Sequence, residues 1–205
     1  MALGMNLETA TGGSKFVPAI KFDAKAGDLI VVNRDPQSDG TWEKTDIEVP
    51  MPVRAVMDFE NLQVGWLTFT PSYNSVMSKV GSKMPAQPSP DHKQAVVLRM
   101  FFKEHGLRDF TPTSKTVLRV VNRLHDEYLE GVKANAGKLP LVEFAGTETV
   151  KIVTPQGELR FKAPTMKIVS WVAPPKEMSE QAAAAPAATP APAAKKPADD
   201  FDEAF

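Results

Sequence analysis

The chain has 205 residues, with 24 basic and 25 acidic side chains, three histidines and no cysteine. The lack of cysteine excludes disulfides and thiolate metal sites, and it fits a reducing compartment such as the cytoplasm. No run of about 18 apolar residues is present, so no spanning helix is expected. Met1 to Ser14 lacks the charged and apolar regions of a secretory signal. The near-neutral balance hides an asymmetry. Beyond Val172, three lysines face six carboxylates, whereas the body carries 21 basic and 19 acidic side chains. A mildly basic body with an acidic end is compatible with a polyanion partner.

Residues 1–14 show little periodicity and are expected to form a flexible leader. Residues 15–172 hold all three tryptophans and nearly all branched aliphatics, so one domain is expected there. Its segments read as strands: Lys15–Phe22, Asp28–Asn33, Gly40–Val49, Val53–Phe59, Leu62–Thr70 and Gln94–Lys103. The two segments around Glu60 suggest a hairpin. Val53, Ala55, Met57 and Phe59 share one face, as do Val96, Leu98, Met100 and Phe102. Pro71 to His92 is a long polar stretch with four prolines. It reads as a loop that folds over a bound strand or as a tolerated insertion. Thr113 or Ser114 can cap a helix whose apolar stripe is Val117, Val121, Leu124, Tyr128 and Val132. Leu141–Thr154, Glu158–Lys162 and Thr165–Val172 look extended. Short strands around a single helix predict a mainly β fold, an OB-fold-like Greek-key barrel with one main α-helix and a disordered C-terminal tail. Residues 173–198, rich in Ala and Pro, read as an extended linker.

The sequence offers little for catalysis or metal binding, and neither an enzyme nor a cofactor is expected. His92, His105 and His125 have no metal-ligand spacing, and Gly12-Gly13-Ser14-Lys15 is not a phosphate loop. Asp58 and Glu60 are a conceivable metal pair, but surface carboxylates beside a turn are far commoner.

Features for a polyanion are richer. Val97, Arg99, Phe101 and Lys103 alternate on the face opposite the apolar set of their strand. Cations interleaved with a ring suit a single nucleic acid strand, and the same pattern fits a partly covered face under the helix. Trp42 shares a strand face with Lys44, as either a stacking platform or a core residue. Trp66 and Phe69 point to opposite faces of their strand, so a one-sided sheet buries only one of them. Trp171 and Phe161, in apolar runs, are assigned to the core. Tyr73, Lys79 and Lys83 lie in the long loop. Lys115, Arg119 and Arg123 fall at i, i+4 and i+8, a basic stripe at the start of the helix. Asp126, Glu127 and Glu130 follow it, so the charges oppose the helix dipole at both ends.

The end of the chain is Asp199-Asp200-Phe201-Asp202-Glu203-Ala204-Phe205. Its carboxylates suit a basic rim and its terminal ring an apolar pocket. This tail resembles the acidic, Phe-terminated ends of bacterial and phage single-stranded DNA-binding proteins. Gly65-Trp66, and the run from Arg99 through Gly106-Leu107-Arg108-Asp109-Phe110 into Thr113–Tyr128, resemble elements of the phage-type members. The resemblance implies an OB fold and sequence-tolerant binding of single-stranded DNA during replication, recombination and repair. It also implies a tail, with Asp199, Asp200, Phe201, Asp202, Glu203 and Phe205 as contacts, that recruits partner proteins or competes with DNA. The ending Glu-Ala-Phe lacks the proline of the bacterial pattern, which favours a phage's own partners in the host cytoplasm. The combined reading names Trp42, Lys44, Trp66, Tyr73, Lys79, Lys83, Arg99, Phe101, Lys103, Lys115, Arg119 and Arg123 as DNA contacts. No membrane partner is expected, and a homo-oligomer is possible. The alternative is an adaptor or structural phage protein whose tail docks on a partner.

Overall fold

In the computed structural model the described residues are 17–37, 40–155 and 157–183. The leader, the linker beyond 183 and the acidic tail lie outside them, as does the side chain of Trp42.

Alternating apolar residues build nine strands into one curled sheet, a half-barrel. A meander of β1 (Ala19–Phe22), β2 (Leu29–Pro36) and β3 (Trp42–Val49) comes first. It is followed by β4 (Val53–Thr68), β5 (Asn74–Lys79), β6 (Lys93–Phe102) and β7 (Gly106–Phe110). Helix α1 (Lys115–Gly131) leads to β8 (Leu139–Thr154), β9 (Gly157–Val172) and α2 (Lys176–Ala183). The sheet order is β3-β2-β1-β7-β6-β4-β8-β9, with β5 paired to β4. Within it, β7-β6-β4-β8-β9 with α1 between β7 and β8 is the arrangement of an OB-like barrel. The meander joins through a parallel pairing of β1 with β7. The Lys162 N–H donates to the Ala24 carbonyl at 2.7 Å, tying the β1–β2 turn back to β9.

The main core takes Ala55, Met57 and Phe59 from β4, and Leu98, Met100 and Phe102 from β6. These are the alternate positions that the sequence marks. On α1 the expected stripe of Val117, Val121, Leu124 and Tyr128 is buried, and Val132 packs against it. Trp171 joins this core, its ring stacked on Tyr128 with centroids 5.7 Å apart. Phe161 is only half-buried, on the outer part of β9.

Four expectations change. Val53–Phe59 and Leu62–Thr70 do not form a hairpin but one strand, β4, with a bulge between Asp58 and Gln63. Both halves pair with the same neighbour, β6. The Asp58 carboxylate accepts the Asn61 backbone N–H at 3.1 Å and its Nδ2 at 2.8 Å. That local turn chemistry occupies Asp58 and makes the segment look like a chain reversal. Glu158–Lys162 and Thr165–Val172 are likewise one strand, β9, because a terminal strand tolerates Pro164. The stretch Pro71–His92 contains a strand, β5.

The fourth change concerns the linker. Its first part is helical, because the prolines stop at Pro175 and do not resume until Pro186. Pro175 lies at the N-terminal edge of α2, where a missing N–H costs nothing, and its carbonyl accepts the Met178 N–H at 3.0 Å. Met178, 5% exposed, forms a second cluster with Val56 and Leu139, against which Phe101, Leu107, Leu141 and Val172 pack. Val56 and Phe101 alternate with core residues of their strands, so α2 covers the opposite face of the sheet.

Candidate nucleic-acid interface

The connection from β4 to β6 is built around the β4–β5 hairpin. Gly65 pairs with Met77 of β5 and Ala95 of β6. A Cβ there would meet the Val76 carbonyl and lie 2.9 Å from the Met77 Cα, so only glycine lets β5 approach. The next residue, Trp66, is half-buried, and its indole Nε1 donates to the Pro85 carbonyl at 2.8 Å. Other bonds fold the rest of the loop onto the hairpin. The Val80 N–H donates to the Leu62 carbonyl at 3.0 Å, and Ser78 Oγ to the Lys83 carbonyl at 3.3 Å. Gln87 Nε2 donates to the His92 carbonyl at 2.8 Å, and Ser89 Oγ shares a 2.8 Å bond with His92 Nδ1. The loop is thus ordered by its own contacts.

At the tip, Phe69 and Tyr73 are 66% and 62% exposed, with ring centroids 5.9 Å apart and planes at 55°. Such a pair leaves apolar area in water at about 25 cal/mol per Å². Lys79 and Lys83 are exposed on the same excursion. Lys79 donates to Asn61 Oδ1 at 3.3 Å. No side-chain bond of Lys83 occurs among the described residues. Tyr73, Lys79 and Lys83 are therefore brought onto one element, joined by Phe69, which the sequence does not single out as a contact.

The face of β6 is less open than its pattern suggests. Arg99 donates from Nε to Asp109 Oδ1 at 3.0 Å and from Nη2 to Oδ2 at 3.2 Å. This two-bonded pair engages the guanidinium across the β6–β7 hairpin. Phe101 packs into the cluster beneath Met178. Lys103, in the β6–β7 turn, is exposed and has no ionic partner among the described residues. On β3, Lys44 pairs with Asp46 at 3.1 Å, as does Lys21 of β1 at 2.8 Å. Hydrogen bonds from Lys21 and then Lys44 hold the Asp46 carboxyl below the usual carboxylate range.

Helix α1 presents Lys115, Arg119 and Arg123 to solvent, and no carboxylate pairs with them among the described residues. Its first turn has no acidic residue, and Ser114 at the N-cap makes no side-chain bond to the helix. The basic stripe is thus an uncompensated positive surface at the positive end of the dipole.

Two sources of positive charge escape sequence reasoning. Arg108 on β7 shares the core side with its cross-strand partner Met100. Its Nε is buried without a hydrogen-bond partner, and burial holds its pKa below the usual range. Lys151, Arg160 and Lys162 lie on the outer β8–β9 ribbon. Register places them on one face, opposite Arg160, Lys151 and Thr149 respectively. The spacing of two between Arg160 and Lys162 on β9 is the available signal.

No cluster of three or more metal-ligating side chains occurs among the described residues. None of their helices is long and apolar enough to cross a membrane. No family model, curated protein or solved structure matches the chain.

Proposed function

We propose that the protein binds single-stranded DNA with little sequence preference and catalyses no reaction on it. The observation that carries this reading is the exposed Phe69–Tyr73 pair on an excursion that also presents Lys79 and Lys83. Rings accept any base by stacking, and lysines meet the phosphates between bases. In OB-like barrels the connection between the first two strands is one of the oligonucleotide-binding loops. The β4–β6 connection holds that place here. Lys103 and the α1 stripe of Lys115, Arg119 and Arg123 supply further phosphate contacts. The resemblance of the tail to those of phage single-stranded DNA-binding proteins supports a role in replication, recombination or repair in a host cytoplasm. Asp199–Phe205 then docks on partner proteins.

The test is titration of the full chain with a fluorescent oligo-dT. Affinity falls steeply with salt through counterion release. Phe69→Ala and Tyr73→Ala each weaken binding by about 1–3 kcal/mol without lowering the melting temperature. Undetectable binding at low salt overturns the reading and favours a protein-binding adaptor.

A further inference from the structure

β3 is an open edge of the sheet, since among the described residues it pairs with β2 alone. Hydrogen bonds fix which way its backbone points. The Gln37 N–H donates to the Thr41 carbonyl at 2.8 Å, continuing the register in which Pro36 opposes Trp42. Bonded and non-bonded pairs alternate along an antiparallel ladder. The odd-numbered residues of β3 therefore bond to β2. The even-numbered ones, Lys44, Asp46 and Glu48 among them, direct their N–H and C=O groups away from the sheet. The 2.8 Å bond from the Asp23 N–H to the Asp28 carbonyl gives β2 the matching alternation, with its even-numbered residues turned to β1.

This edge lacks the usual guards against pairing, which are proline, a bulge, shortness or a covering segment. β3 has eight residues, none of them proline, and its register with β2 runs unshifted from Trp42 to Val49. The far edge, β9, carries Pro164 and register shifts against β8. On β3, Lys44, Asp46 and Glu48 are exposed on one face, and Glu43, Thr45 and Ile47 on the other. Arg34 stands opposite Lys44, and Asp35 opposite Glu43. Like charges in directly opposed positions destabilise a ribbon. The Asp46 carboxylate, paired with Lys21 at 2.8 Å and Lys44 at 3.1 Å, is still 37% exposed.

We propose that β3 pairs antiparallel with β3 of a second copy of this chain, about a two-fold axis at Thr45. The two half-barrels then share one continuous sheet. Exposed strand edges pair in this way through main-chain bonds, and the side chains set the register. Only outward-pointing groups can bond, so even-numbered residues must oppose even-numbered residues. That condition places the axis on a residue rather than between two. At Thr45 it sets Lys44 opposite the partner's Asp46, and Asp46 opposite the partner's Lys44. Opposite charges in such positions stabilise a ribbon. An axis at Glu43, Lys44 or Asp46 sets that charge against its own copy. One at Ile47 sets Asp46 against the partner's Glu48. The strand is thus complementary to itself in one register, and the partner's Asp46 offsets the repulsion between Arg34 and Lys44. No bond to β2 is displaced. The surface goes beyond single-strand binding and does not depend on it.

The experiment is sedimentation velocity of the full chain, without nucleic acid, over a concentration series. The wild-type chain is expected to reach a dimer. Lys44→Asp opposes carboxylates across the axis, and Asp46→Lys opposes ammonium groups. Each variant is expected to stay monomeric where the wild type is dimeric, with its melting temperature reporting the fold separately. An equal mixture of the two restores opposite charges in every pair and recovers the dimer, which damaged folds do not do. A second readout fixes the register. The chain has no cysteine. Thr45 meets its own copy in a non-bonded pair, with Cα atoms about 4.5 Å apart, within disulfide reach. Mild oxidation of Thr45→Cys is expected to give a cross-linked dimer. Glu43→Cys, opposite the partner's Ile47, stays unlinked. Four results overturn the inference. The wild-type chain is monomeric at every concentration. The dimer survives either charge reversal, which places the contact elsewhere. A mixture of the two folded variants stays monomeric. Or Glu43→Cys cross-links as readily as Thr45→Cys.

Discussion

The indole Nε1 of Trp66 donates to the carbonyl of Pro85 at 2.8 Å, holding the Pro-rich loop against the β4–β5 hairpin. Trp66 sits opposite Val76 and Gln94 in the sheet. Its ring is therefore half inside the hairpin, and its polar edge is spent on the loop. Trp66→Phe keeps a ring and removes the donor, leaving the Pro85 carbonyl unpaired. The expected cost is about 1 kcal/mol, with faster amide exchange confined to residues 81–92 and neighbouring β5. If exchange rises uniformly across the domain, the bond is not what orders the loop.

The charges of α1 give a prediction with two opposite signs. Lys115 stands in the first turn, where the dipole disfavours a cation, and Arg119 is one turn on. Lys115→Glu introduces a favourable first-turn charge and replaces an i, i+4 repulsion with an attraction. Stability rises by about 0.5–1 kcal/mol. Oligo-dT affinity falls, because a phosphate contact becomes a repulsion. A variant that is both more stable and weaker at binding cannot be explained by damage to the fold. Unchanged affinity removes the stripe from the interface.

The features legible in the sequence are those set by local periodicity. Leu98, Met100 and Phe102 of β6 and the helical stripe of Val117, Val121, Leu124 and Tyr128 are buried as their spacing demands, with Val96 partly buried at the start of the strand. The features that were not legible depend on partners distant in sequence or on chemistry with two meanings. Asp58 to Asn61 reads as a reversal because an Asx turn uses the same residues in a hairpin and in a bulge. The pairing of Arg99 with Asp109 depends on the register of the β6–β7 hairpin. The packing of Phe101 under Met178 depends on a helix formed beyond the last strand, from a segment whose prolines suggest a spacer. The exposure of Phe69 follows from β4 ending at Thr68, one residue before it.

Met178 sets how firmly α2 stays down. An isolated helix of α2's length is marginal in water, so its order depends on burial of Met178 with Val56 and Leu139. Met178→Ala removes roughly 1.5–3 kcal/mol of apolar burial. The expected outcome is local: amides of 176–183 lose exchange protection while the main melting transition moves little. A chain ending at Val172 leaves Phe101, Leu107 and Leu141 without this cover and gains affinity for an apolar dye. A chain ending at Ala183 does not. Equal dye binding by the two shortened chains would show that α2 does not shield this face.

Acid weakens the fold in two separable windows. His125 on α1 lies against both Phe59 and Tyr128, with centroids at 5.8 and 6.0 Å. Burial pulls its pKa below the ordinary 6.5, and Asp126 opposes this only in part. The unfolded chain therefore binds a proton near 6.5 while the folded one resists it. Stability falls as pH drops through 6.5 and levels off below the folded value. Glu143 is different. Hydrogen bonds from Arg54 and then Lys167 hold its carboxyl below the ordinary 4.5. Its contribution is present above 4.5 and is lost as pH falls through its lower folded value. His125→Gln should flatten the dependence of melting temperature on pH around and just below 6.5 and leave the acid limb intact. Glu143→Gln should flatten the limb below 4.5 and leave the upper window intact. If either variant changes the other's window, the two groups are not the independent sources of acid sensitivity that their separate faces of the sheet require.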